Sequence, residues 1–83
     1  IAVIVPAYCE GRRIQRVLSA IPAWVEAILV VDDASTDDTA ACVAELTDPR
    51  IVLLRHARNR GVGGAMKTGL AEAARRGLRI AAK

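Results

Sequence analysis

Phenylalanine is absent from these 83 residues, and Tyr8 and Trp24 are the only aromatic side chains. Proteins that grip single-stranded nucleic acid stack bases on aromatic platforms, so this composition argues against nucleic acid as a partner. No apolar run approaches the length of about eighteen residues that a membrane span requires, and no signal peptide is visible. Cys9 and Cys42, the only cysteines, have neither metal-ligand spacing nor a redox motif around them, which reads as two reduced thiols in a cytoplasmic protein. The single histidine, His56, has no cysteine or carboxylate ligand set beside it in the sequence, and a hydrogen-bonded structural role is expected of it.

What is present is apolar and basic. Hydrophobic residues make up 53% of the chain and the net charge is +3, enough for a folded domain with a solvated or anion-binding exterior. A domain this short buries only about 60% of its unfolded surface, so residues 1–83 are read as at most one small domain, marginal alone. The chain opens on IAVIV without a methionine and stops at RIAAK inside what reads as another strand, so both ends are expected to be truncations.

Apolar periodicity divides the chain into alternating elements. AVIV at 2–5 is a continuous apolar run suited to a strand buried on both faces, and Pro6 stops it. Ile14, Val17, Leu18 and Ile21 then fall on one face of a helix that Pro22 ends, with Trp24 expected to pack at that helix end. AILVV at 27–31 is a second strand. Ser35 or Thr36 is placed to cap the helix that follows, Asp37 and Asp38 suit the positive end of its dipole, and Val43 and Leu46 face the core. RIVLLR at 50–55 is a third strand, and Met66, Leu70, Ala73 and Ala74 form a third helical stripe that Gly77 ends. LRIAA begins a fourth strand beside the first. Strands alternating with helices of about ten to fifteen residues predict an α/β fold with a parallel sheet and right-handed crossovers.

In open parallel sheets, ligands bind beyond the carboxyl ends of the strands, so three clusters carry the functional reading: PAYCE, DDASTDDT and HARNRG. Asp32 and Asp33 end the second strand as adjacent carboxylates. Successive strand residues point oppositely, so one acid, taken as Asp33, faces a ligand while the other supports the loop. In PAYCE, Tyr8 either flanks a base or packs on its own sheet, and Glu10 is placed to accept from a ribose hydroxyl. The acids do not spell a calcium loop, because Asp38 and Ala44 stand where glycine and glutamate belong. LVVDD also resembles the opening of a response-regulator receiver domain, but such a domain needs an acceptor aspartate at the end of a later strand, and the next strand here ends in Arg55 and His56.

RNRGVGGAMKTG tests as a phosphate loop and fails twice. Both the Walker pattern and the dinucleotide fingerprint require a glycine where Met66 stands. What remains is a glycine-rich turn into a helix start whose free N–H groups suit an anion, with Lys67 nearby.

Together, VIVPAYCE, VVDDASTDDT and RNRGVGGAMKTG, in this order and spacing, resemble the first half of a family 2 glycosyltransferase, and polyprenyl-phosphate sugar transferases in particular. The resemblance implies a partial Rossmann-like type A glycosyltransferase fold, truncated at its fourth strand, that binds a nucleoside diphosphate sugar such as a UDP- or GDP-sugar. It places Pro6, Ala7, Tyr8 and Glu10 along the nucleoside and Asp33, with Asp32 beside it, at the base or ribose. Asn59, Gly61, Gly64 and Lys67 fall beside the base and diphosphate. The parent enzyme is expected to transfer the sugar with inversion to an acceptor hydroxyl or polyprenyl phosphate, at the cytoplasmic membrane face if it is anchored. A stand-alone, non-catalytic nucleotide-binding module is the alternative. The divalent magnesium or manganese ion that the family holds through a D-x-D motif finds no ligands in this chain, and that motif is expected after Lys83, as is the catalytic base. Two residues depart from the family's usual strings, Cys9 in place of asparagine and Ala34 in place of glycine.

Overall fold

From its amino end the chain forms β1 (Ala2–Ala7), α1 (Arg13–Ser19), β2 (Ala27–Asp32), α2 (Thr39–Ala44), β3 (Ile51–Arg55) and α3 (Gly61–Arg76). This computed structural model describes residues 1–80. The strands make one parallel sheet in the order β1-β2-β3, with Ala2 opposite Ala27 and Ala7 opposite Asp32 on one side of β2, and Ile28 opposite Ile51 and Asp32 opposite Arg55 on the other. As the middle strand, covered on both faces, β2 is apolar without alternation, and Ile28, Leu29, Val30 and Val31 are all fully buried.

One face of the sheet carries Val3, Val5 and Ala7, Ile28 and Val30, and Ile51 and Leu53; Ile14 and Leu18 of α1, Val25, and Cys42 and Val43 of α2 close the core over it. On the opposite face α3 packs over β1 and β2. The stripe that α3 turns to the sheet is Ala65, Gly69 and Ala73, not the larger Met66 and Leu70 that periodicity suggested, and Leu70 is 49% exposed. Small residues are needed because the backbones approach closely: a Cβ on Gly69 would stand 2.5 Å from Ile4 Cγ2.

The first two helices are shorter than expected, at 7 and 6 residues, against 16 for α3. Residues just ahead of them tie loops together. Gly11, at φ +56°, donates its N–H to Thr39 Oγ1 2.9 Å away, which fixes the chain just before α1. Neither Ser35 nor Thr36 caps α2: Ser35 Oγ accepts from the Cys9 N–H at 2.9 Å, Thr36 Oγ1 lies 3.5 Å from Cys9 Sγ, and Asp37 Oδ1 receives the Thr39 N–H at 3.0 Å just ahead of the helix. Trp24 is 68% exposed and packs no helix end, and Val17 is likewise exposed while Ile14 and Leu18 carry the face of α1. The expected stop at Gly77 is present, with Gly77 in the left-handed conformation as the carboxyl cap of α3. Beyond it the Ala2 N–H donates to the Arg79 carbonyl at 2.6 Å, and Ile80 bridges Ala2 in parallel, on the side of β1 away from β2. The remainder of the anticipated fourth strand lies outside the described residues.

Candidate functional site

The carboxyl ends of all three strands open on the same side, and Asp33 sits where their loops meet. Its backbone N–H donates to the Ala7 carbonyl at 2.8 Å, which fixes the turn of chain after β2 against the end of β1. Its side chain, on a residue 4% exposed, reaches into the β3–α3 loop: Oδ1 accepts from the Arg60 N–H at 2.7 Å and Oδ2 from the Gly61 N–H at 2.8 Å, while His56 Nδ1 stands 2.8 Å from Oδ1. The His56 ring N–H, then the Arg60 and Gly61 N–H groups, hold this carboxyl below the ordinary aspartate range. A carboxylate offers about four acceptor positions, two on each oxygen. Two donors therefore occupy Oδ1 and one occupies Oδ2.

A cleft of about 160 Å³ is lined by Pro6, Ala7, Tyr8, Glu10, Asp33, Gly61, Val62 and Ala65. Six residues singled out in the sequence are thereby brought together: Pro6, Ala7, Tyr8, Glu10, Asp33 and Gly61. Tyr8 is half exposed, leaving a ring face available at the rim. The cleft has the volume of a ring-sized portion of a ligand, well below the roughly 300 Å³ or more of a pocket that encloses a whole small molecule. A wider crevice of about 440 Å³ is lined by Ala34, Ser35, Arg55, His56 and Ala57, so the Asp33 to His56 contact joins a wall of one space to a wall of the other.

Four of the expected residues line neither space. Asp32 is fully buried and supports its loop, as one of the two acids was expected to do: Oδ1 accepts from the Ser35 N–H at 3.1 Å and from the Ser35 hydroxyl. Its Oδ2 lies 3.3 Å from Arg55 Nε without hydrogen-bond alignment, and has no hydrogen-bond partner among the described residues. Asn59 fastens the loop rather than facing the cleft, with Nδ2 donating to the Asp33 carbonyl at 3.3 Å and Oδ1 sharing the Gly61 N–H at 3.2 Å. Gly64 is packed so tightly on Arg60 that a Cβ there would meet the arginine Cβ. Lys67 is exposed on α3, two residues on from Ala65, which faces the sheet.

Among the described residues no three His, Cys, Asp or Glu side chains converge as a metal-ligand set. The strand-end acids do not fit a metal either, since Asp33 is held by three N–H donors and Asp32 is sealed beside Arg55. The anticipated D-x-D motif lies outside the described residues.

The pattern of the glycosyl transferase family 2 domain matches residues 2–76, which takes in β1 to β3, α1 to α3 and the whole cleft. The chain belongs to glycosyl transferase family 2. It is 42% identical to the succinoglycan biosynthesis protein ExoO of Rhizobium meliloti over 83% of this chain and 20% of that protein. It is 32% identical to the UDP-N-acetylglucosamine–dolichyl-phosphate N-acetylglucosaminyltransferase of Methanococcus voltae, over 98% of this chain and 38% of that protein. A third relative, the dolichyl-phosphate beta-glucosyltransferase ALG5C of Trichomonas vaginalis, is 35% identical over 80% of this chain and 23% of its own length. This family 2 chain therefore spans between a fifth and two fifths of the length of these relatives.

Two features of the family 2 chain carry no plain signal in the sequence. The partner of His56 is a carboxylate 23 residues away, and its other nitrogen, Nε2, lies 2.6 Å from Thr68 Oγ1. The second feature is backbone: Cys9 and Ala34 hold φ angles of +50° and +62°, the left-handed region where Cβ is disfavoured. The departures from asparagine at Cys9 and from glycine at Ala34 were the available signal, since those two residue types tolerate that conformation best.

Proposed function

We propose that this chain is the donor-binding part of an inverting glycosyltransferase, in which the nucleoside of a UDP- or GDP-sugar enters the cleft between the ends of β1 and β2. The observation that carries the reading is the buried Asp33 carboxylate, which accepts one protein donor on Oδ2 and lines the same cleft as Pro6, Ala7, Tyr8 and Glu10. A base N–H or ribose hydroxyl supplies the matching donor, with Tyr8 along the ring. The start of α3 is a second support: Gly61 and Val62 bring the positive end of a helix 16 residues long to the cleft, which favours a diphosphate passing near it. Lys67, on the outer side of α3, contributes at most to the general positive field.

A polyprenyl phosphate is the acceptor proposed, because two relatives are named for dolichyl phosphate. Transfer with inversion needs a general base to activate the acceptor and charge stabilisation on the departing diphosphate. Both are assigned to the sequence past Lys83, with a divalent ion held there by paired acids, so residues 1–83 supply binding and not turnover. No helix among the described residues is long and apolar enough to cross a membrane. A cytoplasmic face for the reaction is part of this proposal.

Titration calorimetry of the full-length protein with UDP and with GDP tests the donor reading. Saturable binding of one of them, weakened in Asp33→Asn, is expected. Absence of binding by either nucleotide, with magnesium or manganese present, would sink it.

A further inference from the structure

We propose that His56 is a positioning residue for donor binding, a bracket that holds the Asp33 carboxylate and the first turns of α3 in the one arrangement the cleft uses. This deepens the proposed donor site and rests on it.

The bracket is fixed at three points. The His56 backbone N–H donates to the Asp32 carbonyl at 2.9 Å, which carries the β2–β3 ladder one residue past Arg55 and sets where the ring begins. Nδ1 lies 2.8 Å from Asp33 Oδ1; a carboxylate held ionised can only accept, so Nδ1 carries the proton and donates. Nε2 accepts the single hydroxyl proton of Thr68, whose Oγ1 lies 2.6 Å away and shares that proton with the Gly64 carbonyl at 3.1 Å inside α3. The residue is 9% exposed, so little water competes for these contacts.

Both ring nitrogens are thus engaged, one by each element that must be aligned. A ring with no free nitrogen is poorly placed to touch a substrate or take its proton. What it governs is Asp33. With His56 and the Arg60 N–H on Oδ1 and the Gly61 N–H on Oδ2, the carboxylate is pinned in plane where it lines the cleft. Removing the imidazole frees a position on Oδ1 and leaves the carboxylate held by the Arg60 and Gly61 N–H groups alone. A ligand that brings a donor then meets a less firmly held carboxylate, and bears part of the ordering cost on binding. The loss appears in donor affinity, not in the chemical step.

The test uses the full-length protein and three variants: His56→Ala, His56→Asn, whose amide keeps a donor near the Nδ1 position, and Thr68→Val, which removes the far anchor. Binding of UDP and GDP, donor KM, kcat and thermal melting are measured for each. His56→Ala should weaken nucleotide binding and raise donor KM about tenfold, the loss expected for one hydrogen bond to a charged group, with kcat within about twofold of the parent. His56→Asn should recover most of that affinity, and Thr68→Val should fall between. If His56→Ala fails to fold, the comparison of His56→Asn with Thr68→Val decides. Folded variants that all bind nucleotide like the parent, or a fall in kcat at unchanged KM, overturn the bracket while leaving the donor site standing. A parent protein that binds neither nucleotide overturns both.

Discussion

Asp33 Oδ2 accepts the backbone N–H of Gly61 at 2.8 Å, joining the end of β2 to the first residue of α3 across 28 residues of sequence. Gly61 holds φ +76° there, so the chain swings its N–H toward the carboxylate in a conformation that residues with a Cβ seldom adopt. The acid that the proposed donor site needs is therefore also the acid that docks the glycine loop.

The double duty predicts that Asp33→Asn lowers both affinity and stability. An amide keeps one acceptor oxygen but turns its NH₂ toward N–H donors already in place, at an expected cost of about 1 to 3 kcal/mol in unfolding free energy. Asp38→Asn, on an exposed side chain that caps nothing, should stay within about 0.5 kcal/mol. Urea unfolding of the two variants side by side checks this, and equal losses would remove the docking role from Asp33.

Strain at the cleft rim predicts substitutions that stabilise. Ala34 at φ +62° carries a Cβ where the left-handed conformation costs about 1 to 2 kcal/mol, so Ala34→Gly should raise unfolding free energy by up to about 1 kcal/mol after the entropy it adds to the unfolded chain. Cys9→Asn, at φ +50°, should act in the same direction more weakly, because the thiol's contact with Thr36 is given up. An unchanged or lower melting temperature for Ala34→Gly contradicts the strain argument.

Close packing of α3 on the sheet predicts the opposite for Gly69. Alanine improves helix propensity by about 1 kcal/mol, yet its Cβ would press on the stiff Ile4 side chain at 2.5 Å, an overpacking that costs about 1 to 3 kcal/mol. Gly69→Ala should therefore be destabilised, and Gly69→Ala combined with Ile4→Val should recover part of the loss. A stabilised single variant would show that α3 does not sit as close as the contact implies.

Acid should weaken the fold through several carboxylates at once. Asp33 is held below its ordinary value by His56 and the loop N–H groups, Asp37 by the Thr39 hydroxyl and N–H, and Asp48 by Arg50, while Glu72 is pulled down to about 2 by Arg75 and Arg76. Because these folded values lie below the unfolded ones, the stability they contribute is fully present above about pH 5 and is lost as pH falls through the folded values. The urea midpoint should fall steadily from about pH 5 toward about pH 2, and Asp33→Asn should flatten that fall. A midpoint constant over this range would contradict the paired carboxylates.

Amino-acid order by itself determined the alternation of strands and helices, the parallel sheet, and the strand ends where the cleft lies, because periodicity and punctuation by Pro22 and Gly77 act within a few residues of one another, although Pro6, expected to stop the first strand, lies inside β1 opposite Val31. It also carried the family, through three motifs at fixed spacing. Strand alternation already singled out Asp33 over Asp32; tertiary structure alone decided what holds its carboxylate, because Arg60, Gly61 and His56 reach Asp33 from 23 to 28 residues away. It likewise turned Lys67 outward and Ala65, Gly69 and Ala73 inward, since the side of α3 that meets the sheet is set by how near the two backbones come, a distance that hydrophobicity does not encode.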